Sequence, residues 1–285
     1  MAIKIVTDST SYIPKEYIEN YEISVVSLNV ILNGDSYREV ELSNETFYEK
    51  MEQAKEIPTS SQPAPGEISD IFKTIISSGD SILGIFLSSD MSGTISSANL
   101  VKNMILEEYP EGRIEIIDSR TNCMQLGYVV LEAAKAAKEG KSMEEVIDIA
   151  SKVINSSRFI FTPETLDYLK KGGRIGGAAA LLGNILQIKP ILTVEDGKTT
   201  ILTKVRTKKK AIDSMINILE SDISSRELRG ITVHHINCYN EGVLLANKIQ
   251  EKLGIAVNIE SIGPVIGLHV GPGSIGIAYY LDKSL

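Results

Sequence analysis

Hydroxyl side chains are concentrated in two short segments of the first half of the chain. Thr59-Ser60-Ser61-Gln62-Pro63 predicts a turn closed by proline, and Asp90-Met-Ser92-Gly93-Thr94 stands where a predicted strand ends and a helix begins. The first amides of a helix are unpaired and attract anions. The same residue types also cap ordinary helices, so capping remains an alternative for either segment. Two such segments together favour a site that binds an anionic group.

The usual catalytic motifs are missing elsewhere. Gly140-Lys-Ser142 and Gly197-Lys-Thr199 lack the glycine that a phosphate-binding P-loop has five residues before its Gly-Lys, since Lys135 and Leu192 stand there. No serine lies in a G-x-S-x-G motif. These absences argue against Walker-type nucleotide hydrolysis and against a lipase-like nucleophile.

A glycine motif near the end of the chain is a false positive for dinucleotide binding. Gly271-Pro-Gly273-Ser-Ile-Gly276 matches G-x-G-x-x-G, but only residues 277–285 follow it, which is too few for a βαβ unit and its ribose-binding acid. Its glycines would still let the backbone approach a ligand closely.

Neither histidines nor cysteines predict a metal site. His234 and His235 are adjacent on a predicted strand, so their side chains point to opposite faces and do not share a metal readily. Cys123 and Cys238 are isolated, without a C-x-x-C spacing, which indicates reduced thiols. We therefore expect neither a metal nor a redox cofactor.

The composition narrows the class of protein. The 285 residues are 43% hydrophobic and 23% charged, and the formal net charge of −8 disfavours binding to nucleic acid. No apolar run approaches the roughly 18 residues of a membrane helix. The first residues, Met1 to Asp8, turn polar too early for a signal peptide, so the sequence predicts a cytoplasmic protein without an integral membrane segment.

The elements that position these residues alternate between strands and helices, which predicts an α/β fold with mostly parallel sheets flanked by helices. Asp196-Gly197 between two apolar runs predicts a hairpin, and we expect a boundary between two lobes, 1–156 and 157–285, with the ligand between them. The predicted strands cover Ile3–Val6, Ser24–Leu32, Ser81–Leu87, Arg113–Ile117, Arg158–Phe161, Ile191–Val194, Thr199–Val205 and Ile231–Ile236. Helices are predicted over Ala178–Leu186, Lys208–Leu219 and Gly242–Leu253.

An ordered set of motifs resembles the DegV family over nearly the whole chain. It consists of Thr7-Asp8-Ser9, Ser60-Ser61-Gln62-Pro63, Ser92-Gly93-Thr94, Asp118-Ser119, Lys171-Gly-Gly-Arg174-Ile, Ile188-Lys-Pro-Ile191, Arg206 and Gly267-x-His269-x-Gly-Pro-Gly273. The resemblance implies two α/β lobes of the EDD fold around a long-chain fatty acid. It also implies a carrier without catalysis of its own, which presents the fatty acid carboxylate to a separate fatty acid kinase subunit for phosphorylation.

The family pattern also implies the residues of the site. It places Ser60, Ser61, Ser92, Gly93, Thr94 and His269 at the carboxylate, with Arg174 and Arg206 as ligand or partner contacts. Ser60 replaces a frequent threonine and keeps the hydroxyl, whereas Ala64 replaces a frequent serine and loses a peripheral contact. By themselves, Arg206 and the following Lys208–Lys210 also fit a solvated helix start.

Two further expectations concern the acyl chain and the chemistry. The acyl chain would lie against Ala178–Leu186, Ile188, Ile191 and Ile266, although apolar helix faces usually pack against protein. One alternative function is an acyl hydrolase in which Ser92 is the nucleophile and His269 the base. Another is a regulatory ligand sensor, which differs from a carrier only in its downstream partner and which the sequence does not distinguish from it.

Overall fold

The computed structural model describes residues 1–54, 56–182 and 188–285. The described strands are β1 (Ile3–Asp8), β2 (Ser24–Val26), β3 (Asn29–Leu32), β4 (Asp35–Arg38), β5 (Thr59–Ser61), β6 (Ser81–Phe86), β7 (Ile114–Asp118), β8 (Ser157–Thr162), β9 (Lys189–Glu195), β10 (Lys198–Val205), β11 (Leu228–His235), β12 (Asn258–Ser261) and β13 (Ile275–Leu281). The described α-helices are α1 (Lys15–Asn20), α2 (Asn44–Gln53), α3 (Pro65–Ser77), α4 (Thr94–Glu108), α5 (Cys123–Lys138), α6 (Met143–Ser156), α7 (Asp167–Lys171), α8 (Lys208–Ile223), α9 (Tyr239–Leu253) and α10 (Pro264–Val270). Short 3-10 helices cover Ser9–Ser11, Glu39–Glu41 and Gly176–Leu181.

The first sheet is parallel, with the strand order β2-β1-β6-β7. Helices connect its strands, which confirms the predicted α/β class. The single strand predicted over 24–32 is wrong, because the chain leaves this sheet after Val26. At Ser27 and Leu28 the backbone amides donate to side chains, those of Glu67 and Ser9, instead of to a neighbouring strand.

A small antiparallel sheet, β4-β3-β5, follows from that break. Its strand β5 occupies most of the segment that the sequence predicted as a turn. Ser60 pairs with Val30 and Ser61 with Asn29. Strand pairing therefore fixes which way the hydroxyl side chains of this segment point, since neighbours along a strand alternate between its faces.

The second large sheet has the order β10-β9-β8-β13-β11-β12, and the prediction that it is mostly parallel is wrong. Only β11 and β12 pair in parallel among its described strands. The predicted hairpin, confirmed at Asp196 and Gly197, makes β9 and β10 antiparallel, and both turn residues have positive φ. The closing strand β13, absent from the prediction, enters between β8 and β11 and runs antiparallel to both.

The two large sheets share a hydrophobic core. Helix α5 packs against β1 of the first sheet and against β13 of the second, and the largest buried cluster takes side chains from both halves of the chain. The chain passes from α6 to β8 between Ser156 and Ser157. A division into lobes at that point stays a prediction.

Two further expectations concern helices. Only the first part of the helix predicted over 178–186 is described, and it forms the 3-10 helix Gly176–Leu181; residues 183–187 lie outside the described part of the chain. The helices predicted at 208–219 and 242–253 are confirmed as α8 and α9. None of the described helices has the length and apolar composition required to cross a membrane.

Candidate functional site

A cavity of about 370 Å³ lies between the first sheet, the second sheet and α10. This volume is in the range of small-molecule sites, about 300–1,000 Å³. Most of its wall is apolar and comes from both halves of the chain, including Leu28, Leu87, Phe159, Phe161, Val265 and Ile266. The wall also includes a group of polar side chains, so the cavity is amphipathic.

The polar side chains are held against one another. The Ser60 hydroxyl and His269 Nε2 are 2.8 Å apart, and the Ser92 hydroxyl lies 2.9 Å from that of Thr94. Arg174 also lines the cavity, and its guanidinium donates to the carbonyls of Gly172 and Met91 at 2.6 and 3.1 Å. These residues come from β5, α10, the start of α4 and the segment after α7.

His269 is neutral in this environment. Burial, together with the neighbouring Arg174 guanidinium, lowers the pKa of the imidazole from 6.5 to about 4. Its Nδ1 atom is buried and has no hydrogen-bond partner in the described part of the chain. An anion that entered the cavity would therefore meet a neutral imidazole, three serine residues (Ser60, Ser61 and Ser92) and the Arg174 guanidinium.

The start of α4 depends on a close contact with the segment after β5. A Cβ atom on Gly93 would lie 1.9 Å from Gln62 Oε1, so only glycine leaves room for that side chain. Gln62 in turn donates to the Ser97 hydroxyl on the first turns of α4. This contact brings the two hydroxyl-rich segments of the sequence to one side of the cavity.

Most of the predicted site residues meet at this cavity. Ser60, Ser61, Ser92, Gly93, Arg174 and His269 line it. Thr94 is buried beside Ser92 but does not line it. Arg206 is exposed at the end of β10 and lies outside the cavity wall. The basic run that it opens therefore does not reach the predicted carboxylate site.

The residues predicted to lie against the acyl chain occupy different parts of the structure. Ile266 lines the cavity, whereas Ile191 packs in a different hydrophobic cluster with residues of α8 and α9. Ile188 packs at the edge of the main core and is not part of the cavity wall. The pairing that the hydrolase alternative requires is not formed, because the hydroxyl bonded to His269 belongs to Ser60 and not to Ser92.

Several wall residues were missed by the sequence analysis. Gln62 and Met91 lay inside quoted segments without a role, Thr199 opened a predicted strand, and Asn122 carried no signal of its own. Phe159 and Phe161 are two positions apart on β8, so their side chains lie on the same face of the sheet. This spacing is the sequence signal that could have placed both residues at the cavity.

A second cleft of about 400 Å³ adjoins the polar end. It shares Ser60, Arg174 and His269 with the inner cavity and adds Glu56, Lys171 and the backbone around Pro58. The shared residues therefore form the wall between a largely apolar interior and a basic outer cleft.

Within the described residues, no three His, Cys, Asp or Glu side chains are grouped to hold a metal ion. His234 and His235 do point to opposite faces of β11, and both are buried. His234 Nε2 accepts from the amide of Met124, and Nδ1 lies 3.1 Å from the Glu260 carbonyl. Both nitrogens of His234 are thus used by the protein.

Solved structures with the same fold include fatty-acid-binding proteins. A fatty-acid-binding protein from Thermus thermophilus is 31% identical with a TM-score of 0.90, and both chains are covered completely. A fatty-acid-binding protein from Bacillus subtilis is 34% identical with a TM-score of 0.89, over 99% of this chain and 100% of the other. A stearic-acid-binding protein from Eubacterium ventriosum is 26% identical with a TM-score of 0.89, over 98% of each chain.

The sequence comparisons agree over the same length. A DegV domain-containing protein from Clostridium acetobutylicum is 52% identical over 285 residues, which is 100% of both chains. The family model described as "Uncharacterised protein, DegV family" matches residues 2–282. With a match of this extent, and with the motifs gathered around one cavity, the chain belongs to the DegV family.

Proposed function

We propose that this chain binds a long-chain fatty acid, buries the acyl chain and presents the carboxylate to a separate kinase that phosphorylates it to an acyl phosphate. The observation that carries the proposal is the amphipathic cavity, whose polar side chains stand in an otherwise apolar wall. A fatty acid has the same division between one charged end and an apolar chain. The Thermus thermophilus and Bacillus subtilis neighbours, which are named as fatty-acid-binding proteins, support this ligand class.

The polar end suits a carboxylate. Removal of an unpaired carboxylate from water costs many kcal/mol, so its oxygens need donors. Ser60, Ser92 and Arg174 supply hydroxyl and guanidinium donors at the cavity wall. Each hydrogen bond to the charged group contributes roughly 1.5–3 kcal/mol.

The apolar wall suits the acyl chain. About 14 methylenes at about 0.8 kcal/mol each give a gross burial term near 11 kcal/mol. Ordering of the chain and the cost of association reduce that term. Sub-micromolar affinity follows without any covalent chemistry.

Presentation to a kinase is supported by the outer cleft. Because Ser60, Arg174 and His269 face both spaces, a carboxylate among them would stand at the boundary between the interior and the outer cleft. Lys171 and Arg174 outnumber Glu56 among the charged side chains of this cleft, which leaves a positive character that fits a phosphoryl donor or an acidic partner surface. Since the kinase uses ATP, the proposal locates the carrier in the cytoplasm.

We propose further that the chain is a carrier and not an enzyme. A nucleophile and base pair usually has a third group that orients the base. The Ser60 and His269 pair lacks one in the described structure, since His269 Nδ1 is unpartnered. Turnover of acyl esters by the pure protein that disappears in Ser60→Ala or Ser92→Ala would contradict this part of the proposal.

The first test is native mass spectrometry of the purified protein, followed by denaturing extraction of the bound material. We expect one fatty acid per chain, and the extract would identify its length and saturation. A protein that is empty and, after delipidation, also fails to bind added hexadecanoic acid would refute the proposal. Phosphorylation of the loaded fatty acid by a bacterial fatty acid kinase and ATP would then test presentation separately.

A further inference from the structure

Two carboxylates are buried behind the apolar wall and have no role in the carboxylate site. Asp8 and Glu39 are 0% and 6% exposed. No ion pair joins either of them to a cation in the described part of the chain. A buried carboxylate without a cation lowers stability unless donors satisfy its oxygens.

Three donors converge on Glu39. Its Oε1 atom accepts from the Tyr12 hydroxyl at 2.9 Å and from the backbone amide of Val265 at 2.8 Å. Its Oε2 atom accepts from the Ser9 hydroxyl. The carboxylate thus joins the start of the chain to the first turn of α10.

Two of these donors, the Tyr12 and Ser9 hydroxyls, also accept hydrogen bonds from backbone amides of the cavity wall. The Tyr12 oxygen accepts from the amide of Ile266 at 3.3 Å, and the Ser9 oxygen accepts from the amide of Leu28 at 3.1 Å. Leu28, Val265 and Ile266 all line the cavity. Directly or through one hydroxyl, Glu39 therefore fixes the backbone of three apolar wall residues.

Asp8 has a parallel but separate role. It accepts from the amide of Leu87, another wall residue, at 2.8 Å, and from the amide and hydroxyl of Thr10. Asp8 and Glu39 therefore hold different parts of the wall, and a change at one residue can be compared with the other.

We propose that Glu39 is a positioning residue of the fatty acid site, which holds the first turn of α10 and Leu28, the residue before β3, at the distance that the acyl chain requires. The inference rests on the proposed function. It explains why the chain keeps a carboxylate where an apolar side chain of similar size would be more stable. It also explains why each bond of Glu39 leads to the cavity wall.

The hydrogen-bond donors around Glu39 only partly offset the cost of burying its charge. The pKa of its carboxyl is raised from 4.5 to about 7, chiefly by burial and to a smaller extent by the charge of Asp8, against the lowering effect of the bonds from Ser9, Val265 and Tyr12. The other titratable groups nearby are Tyr12, Tyr48 and Cys123, whose pKa values are all raised chiefly by burial. All of these neighbours are acidic, and none supplies a positive charge.

The test compares Glu39→Ala, Glu39→Gln and a matched control, Glu41→Ala. Glu41 lies in the same 3-10 helix, but its side chain is exposed and bonds to Arg38. In titrations of the delipidated protein with hexadecanoic acid, Glu39→Ala should weaken binding by about tenfold or more, because the three bonds through which Glu39 holds the cavity wall are all lost. Glu39→Gln should restore most of the affinity, because its amide oxygen can still accept from Tyr12 and Val265.

Backbone hydrogen exchange of the unliganded protein gives a second readout. Glu39→Ala should speed exchange at Leu28, Val265 and Ile266, whereas Leu87, held by Asp8, should exchange at the wild-type rate. General destabilisation would instead speed exchange at all four amides. Wild-type affinity together with wild-type exchange at Val265 and Ile266 in Glu39→Ala would overturn the inference.

Two further measurements cover the cases in which Glu39→Ala does not fold or the wild-type protein binds no fatty acid. If Glu39→Ala does not fold, Tyr12→Phe keeps the carboxylate but removes the hydroxyl that donates to Glu39 and accepts from the amide of Ile266. Unchanged affinity and exchange at Ile266 would then overturn the inference. If wild-type protein binds no fatty acid, the proposed function fails, while hydrogen exchange still decides whether Glu39 positions the wall.

Discussion

At the scale of single residues, the site is built around an uncharged histidine. His269 Nε2 is paired with Ser60, and the pKa of the ring is held near 4 by burial and by Arg174. The positive charge available to an anion in the cavity therefore comes from the Arg174 guanidinium. The serine hydroxyls would orient a bound anion through hydrogen bonds and would add no charge of their own.

Removal of either serine hydroxyl should weaken fatty acid binding without unfolding the protein. For Ser60→Ala and Ser92→Ala we expect the dissociation constant for hexadecanoic acid to rise about tenfold or more, since a hydrogen bond to a charged group contributes roughly 1.5–3 kcal/mol. Ser92→Ala should have the larger effect, because Ser92 also stands at the start of α4, where backbone amides face the anion.

Ser96→Ala is the matched control for this comparison, since Ser96 lies on the exposed side of the first turn of α4. Isothermal titration would measure all three variants. Equal affinities for the three variants and the wild type would contradict the placement of the carboxylate.

The buried Glu39 should make stability depend on pH. Its pKa is about 7 in the folded protein, and it returns toward 4.5 on unfolding. Between these values the folded state binds more protons, so the stabilisation present below about pH 4.5 is lost as the pH rises through 7. Asp8, with a pKa raised from 3.8 to about 6 chiefly by burial, acts in the same direction.

Denaturant unfolding between about pH 5 and pH 8 checks this prediction. The unfolding free energy of Glu39→Gln relative to that of the wild type should rise by ~2–3 kcal/mol over this range, because glutamine has no carboxyl group to deprotonate. The slope that both proteins share combines Asp8 with the buried His234 and His269, whose pKa values are lowered from 6.5 to about 4 chiefly by burial and which act in the opposite direction. A wild-type slope that Glu39→Gln leaves unchanged would show that Glu39 does not titrate in this range.

At the scale of elements, the junction between β5 and α4 brings two distant segments of sequence together. β5 fixes the orientation of Ser60 by pairing with β3, and α4 begins directly after Gly93. Gln62 lies over Gly93 and donates to Ser97. The absence of a side chain at residue 93 is therefore a requirement of the contact between these elements.

Gly93→Ala should disturb the site more than the fold. The added methyl group would displace the end of the flexible Gln62 side chain, which breaks its bond to Ser97 and moves it within the cavity that it lines. We expect a fatty acid affinity several-fold lower, with a change in unfolding free energy of about 1 kcal/mol or less.

Gly66→Ala serves as the control because a Cβ at Gly66 would meet nothing within 4 Å. Titration and thermal unfolding of both variants would separate the two effects. If Gly93→Ala bound as tightly as Gly66→Ala, the close contact with Gln62 would be irrelevant to the ligand.

At the scale of the whole molecule, the β9–β10 hairpin joins the two halves beside the cavity. Val194 and Thr199 of this hairpin line the cavity, and its turn is held by loops of the first half. The Ser88 hydroxyl donates to the Gly197 carbonyl at 2.8 Å, and the Arg120 guanidinium donates to the carbonyl of Asp196. An ion pair of 2.6 Å joins Arg120 to Asp90.

Loss of this connection should speed the release of the ligand. For Arg120→Ala we expect a dissociation rate several-fold higher than in the wild type, because the hairpin that covers part of the cavity is held less firmly. Salt should accelerate release from the wild type more than from the variant, since the Arg120 side chain is 39% exposed and its ion pair is screened.

Stopped-flow displacement of a fluorescent fatty acid would measure these rates. Arg113→Ala is a suitable control: its side chain is 40% exposed, and its partners Glu115 and Glu144 both belong to the first half. Equal release rates for Arg120→Ala and Arg113→Ala would show that the hairpin does not control ligand exit.

Features that depend on near neighbours could be predicted from the sequence alone. The α/β alternation, the Asp196-Gly197 hairpin and the helix start at Ser92-Gly93-Thr94 follow from residues a few positions apart, because backbone conformation, turns and caps are local. The hydroxyl-rich segments likewise indicate an anion site by their composition, since that chemistry lies in the residue types themselves.

Contacts between distant residues were set by the tertiary structure and could not be predicted in this way. Ser60 and His269 are 209 positions apart, and Glu39 and Val265 are 226 apart. The serine that pairs with His269, the insertion of β13 between β8 and β11, and the position of Arg206 outside the cavity all depend on such contacts. Packing of whole elements sets these distances, and the local residue pattern does not record which elements will meet.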